Sequence, residues 1–312
     1  MIAIERYSAE YKNRWNEFVK MSKNGTFLFL RDYMDYHSDR FDDFSLIATK
    51  NGKIIALLPA NISGDAVYSH RGLTYGGWIT CAKGFTMTDM LDVWVEMQCY
   101  LQKNGVKYLI YKPVPHIYHI TPAEEDLYAL FRSRATVEAV LISSTVDLLD
   151  RLPFDQNSKR GLKYCLSAGV EVKETDDFKE YWDILSALLG EKYGAKPVHT
   201  LDEIERLHKL FPENIRLVAA YKEGKMVGGT VLYVTNTVVH AQYIATTQEG
   251  RDLKVLPAVF EHIIRNMCDG KRYFDLGTSN EDGGNYLNEG LIRQKCGLGG
   301  RGVVYCTYKV II

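Results

Sequence analysis

The sequence contains two copies of one pattern. The segment Lys50–Ile55 (KNGKII) recurs as Lys222–Val227 (KEGKMV), and Gly105–Leu109 (GVKYL) recurs as Gly270–Phe274 (GKRYF), in the same order. The offset in residue number is 222 − 50 = 172 for the first pair and 270 − 105 = 165 for the second. Solenoid repeats have periods of about 20–50 residues, so a period this long indicates a duplicated domain. The chain is therefore predicted to fold as two copies of one architecture.

The composition is that of an ordinary globular protein. The chain has 312 residues, of which 46% are hydrophobic and 25% are charged, which is enough for two domains with a core each. Its net charge of −1 supplies no general attraction to nucleic acid or to an anionic membrane, although a local basic site is compatible with it. No basic region followed by an apolar run begins the chain, and no apolar stretch approaches the roughly 18 residues that span a bilayer. We therefore expect a cytoplasmic protein without a membrane span.

The cysteines and histidines form no metal-binding pattern. The six cysteines contain no CxxC pair and have no histidine close to them in sequence, so we expect reduced structural residues. His116 and His119 precede Glu124 and Glu125, a combination that a metal site can use, but Pro122 interrupts any helical frame. A loop with two ordinary histidines is expected there, and no metal ion is predicted.

Hydrophobic periodicity and turn residues predict the same order of elements in both halves: a strand, two helices, antiparallel strands, a long helix, a strand, a helix and a last strand. Asn51-Gly52 and Glu223-Gly224 lie in hairpin turns, and Gly105 and Gly270 end the long helices. The spans predicted for the first half are Ile2–Glu5, a helix through Trp15 and Phe18, Asp32–Phe41, Ser45–Lys50, Ile54–Ile62, Tyr68–Ile79, Thr88–Lys103, Tyr108–Tyr111 and Val137–Val146. Those for the second half are Val170–Lys173, a helix through Trp182 and Leu185, Thr200–Phe211, Ile215–Tyr221, Met226–Val234, Thr237–Thr246, Leu253–Cys268, Tyr273–Leu276 and Val303–Ile311.

This order predicts an α/β fold, of the α+β kind with a mixed sheet, in each copy, because sequential strands and helices pack as layers around one core. The two tandem domains are predicted over residues 1–150 and 151–312, with a junction near Pro153. Just after it, the segment Ser158–Ser167 is predicted as a basic helix.

Several local segments fit a known superfamily. They are Tyr75-Gly76-Gly77 in the first copy, Lys159-Arg160-Gly161-Leu162-Lys163 followed by Gly169-Val170, and Tyr273-Phe274-Asp275-Leu276-Gly277 with the later Lys295-Cys296-Gly297. Along a duplicated fold, this order resembles the GNAT acyltransferase fold, and the tandem arrangement resembles the FemAB/FemX-like branch of that superfamily. The resemblance covers nearly the whole chain. It implies an acceptor-shaping first domain and a catalytic second domain that binds the acyl donor.

The resemblance also implies where the chemistry occurs. In the second domain two neighbouring strands, here Thr237–Thr246 and Tyr273–Leu276, are expected to splay and expose backbone groups. An acyl donor would lie in that gap, with a backbone N–H stabilising the developing oxyanion. A helix that begins just after the first strand would meet the donor's phosphate with its free N–H groups.

The loop for the donor's phosphate departs from the commoner GNAT pattern. Acetyl-CoA enzymes of the superfamily usually carry Gln/Arg-x-x-Gly-x-Gly/Ala, whereas this chain has QEGRDLK over residues 248–254, with one glycine and two acids. The donor-binding residues that the resemblance implies are Gln248, Gly250, Arg251, Lys254 and Thr278; a solvated turn before a helix is the alternative. The donor is expected to be an acyl-CoA or an aminoacyl-tRNA, which FemAB-like relatives use.

Three residues are the candidate catalytic groups. Asp275 follows a strand end and precedes a glycine-rich turn, so it is a candidate to orient or deprotonate an amine; a turn-stabilising carboxylate is the alternative. Lys295 matches the lysine that lies near the donor's phosphate or acyl group in FemX-like proteins, where a cation would offset charge on the carbonyl oxygen. Its alternative is a surface lysine that covers apolar neighbours. Tyr243 lies on the strand that would face the donor.

Acceptor-binding residues are expected in two places. The first copy offers a group of polar and small residues before and after its buried strand, and the second offers a glycine-rich turn after Asp275. The candidates are Arg71, Tyr75, Gly76, Lys112, Asn285 and Tyr286.

Together these expectations describe an acyl or aminoacyl transferase that acts on an amine of a sugar, a cell-envelope precursor or a related small metabolite. The amine would attack a thioester or ester directly, without a covalent enzyme intermediate. A noncatalytic binding protein that keeps the fold but has lost its donor site is the rival hypothesis.

Overall fold

A computed structural model describes residues 2–312 and divides into two compact units. The first unit runs to Leu141 and includes Asp282–Tyr286 and Val304–Ile312, whereas the second comprises Ile142–Glu281 and Leu287–Val303. Each unit combines helices with strands in a mixed α/β arrangement, which confirms the predicted fold class. The domain limits predicted at residue 150, and the roles attached to them, stay predictions, because compactness does not measure independent folding or function.

Helices are interspersed with runs of consecutive strands along the chain. The helices are α1 (Lys12–Met21), α2 (Arg31–Met34), α3 (Met87–Lys103), α4 (Glu125–Arg132), α5 (Gln156–Ser167), α6 (Phe178–Tyr193), α7 (Leu201–Leu210), α8 (Gln248–Asp252), α9 (Val255–Asn266) and α10 (Glu289–Gly297). The strands are β1 (Ile2–Arg6), β2 (Asp42–Asp43), β3 (Leu46–Lys50), β4 (Lys53–Leu58), β5 (Asn61–Ser63), β6 (Ala66–Tyr68), β7 (Ile79–Thr80), β8 (Tyr108–Tyr111), β9 (Thr136–Asp147), β10 (Glu171–Thr175), β11 (Ile215–Lys222), β12 (Lys225–Val234), β13 (Val238–Thr246), β14 (Tyr273–Thr278), β15 (Asn280–Glu281), β16 (Tyr286–Leu287) and β17 (Arg301–Ile311). Within residues 2–312 no helix is both long and apolar enough to cross a membrane.

The second unit is built on a sheet with the strand order β10-β11-β12-β13-β14-β9. Its neighbours are antiparallel except β13 and β14, which run parallel. Val239 and Ala241 of β13 pack in one core with residues of α9, whereas Tyr243 contacts Trp182 of α6 on the other face. Because successive strand residues point to opposite faces, His240 is directed to the face that α6 covers.

The first unit divides its strands between a sheet of order β1-β3-β4-β7 and a series β17-β8-β6-β5-β2. The sequence predicted one strand over Ile54–Ile62, and this prediction is wrong: the strand ends at Leu58, and β5 begins at Asn61 in the other series. Pro59 accounts for the break, because proline has no N–H to donate to a sheet ladder.

The predicted second helix of the first half is also shorter than expected. It was predicted over Asp32–Phe41, but α2 ends at Met34 and a single 3-10 turn, Asp35–His37, follows. The buried guanidinium of Arg31 binds both Asp35 and Asp43, each at 2.6 Å. The chain must therefore turn back toward Arg31 after one helical turn instead of extending the helix.

The duplication extends to the register of the strands. Lys50 faces Lys53 across the first hairpin, and Lys222 faces Lys225 across the second. Each hairpin has its register irregularity at the same place, after Ala48 in the first and after Ala220 in the second, and the two alanines are related by the offset of the sequence repeat (220 − 48 = 172). Two copies that share a pairing pattern and its irregularity confirm the internal repeat that the sequence indicated.

Predicted helix caps and turns are present. Thr200 forms a capping box with Glu203, and the side chain of Asp177 accepts a hydrogen bond at the start of α6. Gly105 and Gly270 follow the long helices with positive φ angles of 74° and 68°. The two caps and Gly105, whose N–H donates to the carbonyl oxygen of Gln102, satisfy backbone groups that a helix end leaves without partners, whereas Gly270 lies in the turn beyond α9, which ends at Asn266.

One glycine of the second unit provides a test of packing. A Cβ atom on Gly250 of α8 would lie 2.0 Å from the carbonyl oxygen of Val227, whereas one on Gly190 of α6 would meet no atom within 4 Å. We expect Gly250→Ala to lower the free energy of unfolding by about 1–3 kcal/mol, the usual range for overpacking. Gly190→Ala is the matched control and should raise it by up to about 1 kcal/mol. Urea unfolding measures both, and equal midpoints for the two variants would contradict this account of Gly250.

Candidate active site

The parallel strands β13 and β14 separate partway along their length. They pair at Val238 with Tyr273, at Val239 with Phe274 and at His240 with Asp275. Beyond His240 the described residues show no further pairing between them, although β13 continues to Thr246 and β14 to Thr278. The opening that the family resemblance implied is therefore present, and it begins at His240 and Asp275.

Asp275 is a completely buried carboxylate at this opening, with hydrogen bonds from both neighbouring strands. One oxygen accepts from the hydroxyls of Ser143 and Thr145 on β9, and the other lies 2.8 Å from Nδ1 of His240. Burial acts to raise the pKa of Asp275, but hydrogen bonding and the charge of His240 act against it, and the net pKa is lowered. The carboxylate is therefore ionised near neutral pH.

His240 is the accessible member of this pair. Its side chain keeps 11% of its surface exposed, and its Nε2 atom has no hydrogen-bond partner within residues 2–312. Because the ionised Asp275 can only accept, Nδ1 carries the proton of the neutral imidazole and Nε2 is left as a free acceptor. A histidine held in this tautomer can take a proton from a bound nucleophile.

Lys295 of α10 lies under the end of β14. Its ammonium group donates to the carbonyl oxygens of Gly277 at 2.8 Å and of Thr278 at 2.7 Å, and the residue is only 5% exposed. It is therefore not the exposed surface lysine of the alternative interpretation. Burial lowers its pKa to about 8, although the charge of Asp275 acts in the opposite direction. An ammonium group has three N–H donors, so one remains after these two bonds.

Tyr243 belongs to a second hydrogen-bonded pair on the α6 face. Its hydroxyl lies 2.5 Å from Nδ1 of His199, and its ring packs edge-on against Trp182 at 5.4 Å. The carbonyl oxygen of Tyr243 accepts a hydrogen bond from the buried hydroxyl of Tyr181. Because β13 has an extra residue, Gln242, between Ala241 and Tyr243 in its pairing with β12, Tyr243 and His240 lie on the same face although they are three residues apart.

The predicted donor loop lines a cavity of about 280 Å³ in the second unit. Gly250, Arg251 and Lys254 contribute to its wall, together with Thr246 of β13 and Gln294 of α10. Arg251 is oriented by hydrogen bonds from its guanidinium to the carbonyl of Thr246 and to a side-chain oxygen of Gln248. Helix α5 closes another side of the cavity, where Gly161 approaches Lys254 without a side chain.

Two predicted donor-binding residues are not in the wall of this cavity. The side chain of Gln248 accepts a hydrogen bond from Arg251 and donates one to Asp252, so it orients Arg251 and does not line the cavity itself. Thr278 is the end of β14, and its carbonyl oxygen accepts from Lys295. The structure therefore brings Gly250, Arg251 and Lys254 together and leaves Thr278 at the strand opening.

The acceptor residues predicted in the first copy divide into two groups. Tyr75 is 2% exposed and packs against the rings of Phe29 and Tyr118, so it lies in the core of the first unit, and its part in binding stays a prediction. Gly76 is also buried, and a Cβ there would lie 1.7 Å from the carbonyl oxygen of Ser69. Both positions are thus buried and closely packed within the first unit.

The remaining four predicted acceptor residues are at least partly accessible. Arg71 is exposed and Lys112 is half-buried, and both follow strand ends in the first unit. Asn285 and Tyr286 are exposed beside the short strand β16 and group with the first unit, whereas Asp275 belongs to the second. Their part in binding stays a prediction.

The sequence alone did not identify His240 or His199. Both become candidates only when the pairing of β13 with β14 and the packing of α6 are known, because neither lies near its partner in sequence. The sequence signal that could have found His240 is its polar side chain within the apolar run VVHA at residues 238–241. Across the described chain no group of three or more histidine, cysteine or acidic side chains is arranged to hold a metal ion.

The buried lysine allows a test of its environment. An unfolded lysine keeps its proton up to about pH 10.4, whereas Lys295 in the folded protein releases it at about 8. Between these values the unfolded state binds more protons, so the free energy of unfolding should rise with pH. We expect this rise in the wild type and its loss in Lys295→Met, measured by urea unfolding at about pH 7.5 and about pH 9.5. Equal pH dependence of the two proteins would show that Lys295 titrates as an ordinary lysine.

Comparisons with known proteins identify the fold around this site. Residues 154–286 match the family described as acetyltransferase (GNAT) domain. No curated protein sequence matches the chain significantly. The chain is similar to the crystal structure of FemX, with a TM-score of 0.70 and 11% identity over 99% of this chain and 97% of that one.

Two further solved structures are similar to this chain over most of both chains. L-PGS from Bacillus licheniformis has a TM-score of 0.60 and 11% identity over 97% of this chain and 92% of its own. A tandem GNAT protein from the clavulanic acid biosynthesis pathway has a TM-score of 0.55 and 11% identity over 100% of this chain and 98% of its own. The chain therefore has the tandem GNAT fold seen in FemX, and its residues 154–286 match the acetyltransferase (GNAT) domain family.

Proposed function

We propose that the protein is an N-acyltransferase that moves an acyl or aminoacyl group from a thioester or ester donor to an amine. The observation that carries this proposal is the His240–Asp275 pair at the point where β13 and β14 separate. A GNAT domain supplies the fold for acyl transfer, but a fold does not establish chemistry, so the side chains at the opening must supply the argument.

His240 is the proposed general base. As the amine nitrogen forms its bond to the donor's carbonyl carbon, Nε2 takes the proton that the amine loses. Asp275 stays ionised, holds Nδ1 and stabilises the imidazolium that forms. The carbonyl carbon's bond to sulfur or oxygen then breaks, and the leaving group takes the proton from His240. Asp275 is thus a positioning residue, because its burial keeps it from direct contact with the amine.

Lys295 and the backbone of β13 are the proposed electrostatic groups. The third N–H of Lys295 is available to the carbonyl oxygen as negative charge develops on it. The unpaired edge of β13 beyond His240 offers backbone N–H groups to the same oxygen. Since Lys295 already binds two carbonyl groups, it is held in place before the donor arrives. Tyr243, held by His199, is the proposed residue that orients the acceptor amine.

The cavity beside Arg251 and Lys254 is the proposed binding place for the donor's phosphate. It lies by the end of β13 and carries two cationic side chains, which suits an anion. Its volume of about 280 Å³ is at or below the lower end of pockets that enclose a whole ligand. We infer that it holds only the phosphate-bearing part of an acyl-CoA or an aminoacyl-tRNA. Residues 151–312 would thus bind the donor, and residues 1–150 would recognise an acceptor such as an amino sugar, a cell-envelope precursor or a small metabolite.

A variant series at His240 tests the proposed base. We expect His240→Gln to lower kcat/KM by about 10²–10⁴-fold, the usual contribution of a positioned acid or base. Asp275→Asn should lower it too, because an amide no longer fixes the tautomer of His240. His262→Gln, the same change on α9, is the matched control and should keep full activity. The assay measures transfer by mass spectrometry from acetyl-CoA, longer acyl-CoAs or charged tRNA to a panel of amines.

The same assay separates the alternatives. Inhibition by free coenzyme A would identify a thioester donor, whereas strong salt dependence would favour tRNA. Full activity of His240→Gln on an identified substrate pair would overturn the proposed base. Calorimetry that detects no binding of any of these donors would favour a noncatalytic binding protein instead.

A further inference from the structure

The first copy contains a counterpart of the β13–β14 opening. Its strands β6 and β8 are also parallel, and they pair from Ala66 with Tyr108 to Tyr68 with Ile110. In residue number, His240 follows Tyr68 by 240 − 68 = 172, and Asp275 follows Ile110 by 275 − 110 = 165. These are the offsets of the sequence repeat, so Tyr68 and Ile110 stand where the second copy has its histidine and aspartate.

The catalytic pair is therefore replaced in the first copy, and two cations stand close by instead. The same offsets relate Arg71 to Tyr243 (243 − 71 = 172) and Lys112 to Gly277 (277 − 112 = 165). Arg71 and Lys112 follow the carboxyl ends of the parallel strands β6 and β8, and open α/β sheets commonly bind ligands at such ends. The strand ends of the first copy therefore have positive charge where those of the second copy have a pair suited to proton transfer.

Lys112 is enclosed by the segment that follows β6. Its backbone N–H donates to the hydroxyl of Ser69 at 2.7 Å, and its carbonyl oxygen accepts from the N–H of Gly76 at 3.0 Å. The ammonium group has only one long hydrogen bond within residues 2–312, 3.5 Å to the carbonyl oxygen of Leu73. Burial lowers the pKa of Lys112, and the positive charge of Arg71 lowers it further. A half-buried ammonium with a single weak partner retains unsatisfied donors.

The backbone and the guanidinium group of Arg71 each have a contact within the first unit. Its N–H donates to the side-chain oxygen of Asn61 at 2.8 Å, and its guanidinium lies 4.6 Å from the centroid of Tyr68. Neither Arg71 nor Lys112 forms an ion pair anywhere in the described chain. The positive charge of Arg71 reaches Lys112, and an anion at this place would be attracted to both side chains.

We propose that Arg71 and Lys112 form an anion site for a phosphate group at the end of β6 and β8. Two cations match the charge of a phosphate, and the planar guanidinium can bind two of its oxygens while the ammonium binds a third. The group would belong either to a phosphorylated acceptor or to a free phosphate compound. Anion binding here does not depend on the proposed acyl transfer, because Arg71 and Lys112 take no part in the chemistry at His240; only its assignment to an acceptor rests on that proposed function.

Calorimetry with inorganic pyrophosphate tests the site. The titration uses the full chain carrying Arg251→Gln and Lys254→Gln, so that the proposed donor cavity does not contribute. We expect binding in this background, and a loss of at least about tenfold in affinity on adding Arg71→Gln or Lys112→Gln. Lys83→Gln, which removes an exposed lysine of the same unit, and His240→Gln should bind as the background does. Repeating the titration with inorganic phosphate and with a sugar phosphate distinguishes a free anion from a phosphorylated acceptor.

A second variant at Lys112 distinguishes the loss of its charge from a loss of folding. Lys112→Arg keeps the positive charge and should retain affinity within about threefold, whereas Lys112→Gln should not. Circular dichroism and thermal unfolding establish that each variant is folded. Pyrophosphate binding no tighter than that of chloride at equal ionic strength would overturn the proposal. So would equal affinity of the background, Arg71→Gln and Lys112→Gln. Either result would leave the proposed acyl transfer unaffected, since that is judged by activity of His240→Gln.

Discussion

The buried charge of Asp275 determines the geometry on which the rest of the candidate site depends. A carboxylate inside a protein is costly unless hydrogen bonds compensate for the lost water, and here β9 supplies two hydroxyls and β13 supplies an imidazole. These bonds tie three adjacent strands together at one level of the sheet. Below that level β13 and β14 pair, and above it they separate. The charge therefore fixes where the opening begins and which histidine stands at its edge.

The two copies show how one pairing pattern can serve two purposes. The register of β6 with β8 reproduces that of β13 with β14, yet tyrosine and isoleucine replace histidine and aspartate. Without the buried carboxylate there is nothing to orient a base, and no proton transfer is expected from the first copy. The first copy keeps the arrangement of the strand ends, and Arg71 and Lys112 place positive charge there. On this account the first copy keeps the location of the site and changes its chemistry.

Much of this fold could be predicted from local signals, and the reasons are physical. The hairpin turns at Asn51-Gly52 and Glu223-Gly224 need positive φ angles, which both pairs adopt, and the caps at Thr200 and Asp177 satisfy helix ends. Pro59 has no backbone N–H to donate, which is a sequence signal for a break, but the hydrophobic run across it predicted a continuous strand. His240 was out of reach, because its partner Asp275 lies 35 residues away and is reached only through parallel pairing. The burial of Tyr75 could not be predicted, since a tyrosine followed by glycines has the same sequence signature in a core and in a cleft.

The break at Pro59 has a mechanical consequence for how each copy tolerates change. In the second copy β12 runs without interruption from the hairpin turn to Tyr233, which faces His240, a span of about 27 Å. A slip of one residue at that turn, beyond what the register irregularity after Ala220 absorbs, would move Tyr233 out of line with His240, the proposed base. In the first copy the corresponding strand is cut in two, so a slip in the β3–β4 hairpin stops at Pro59. We therefore expect insertions and deletions in the hairpin to disturb the strand ends of the first copy less than those of the second.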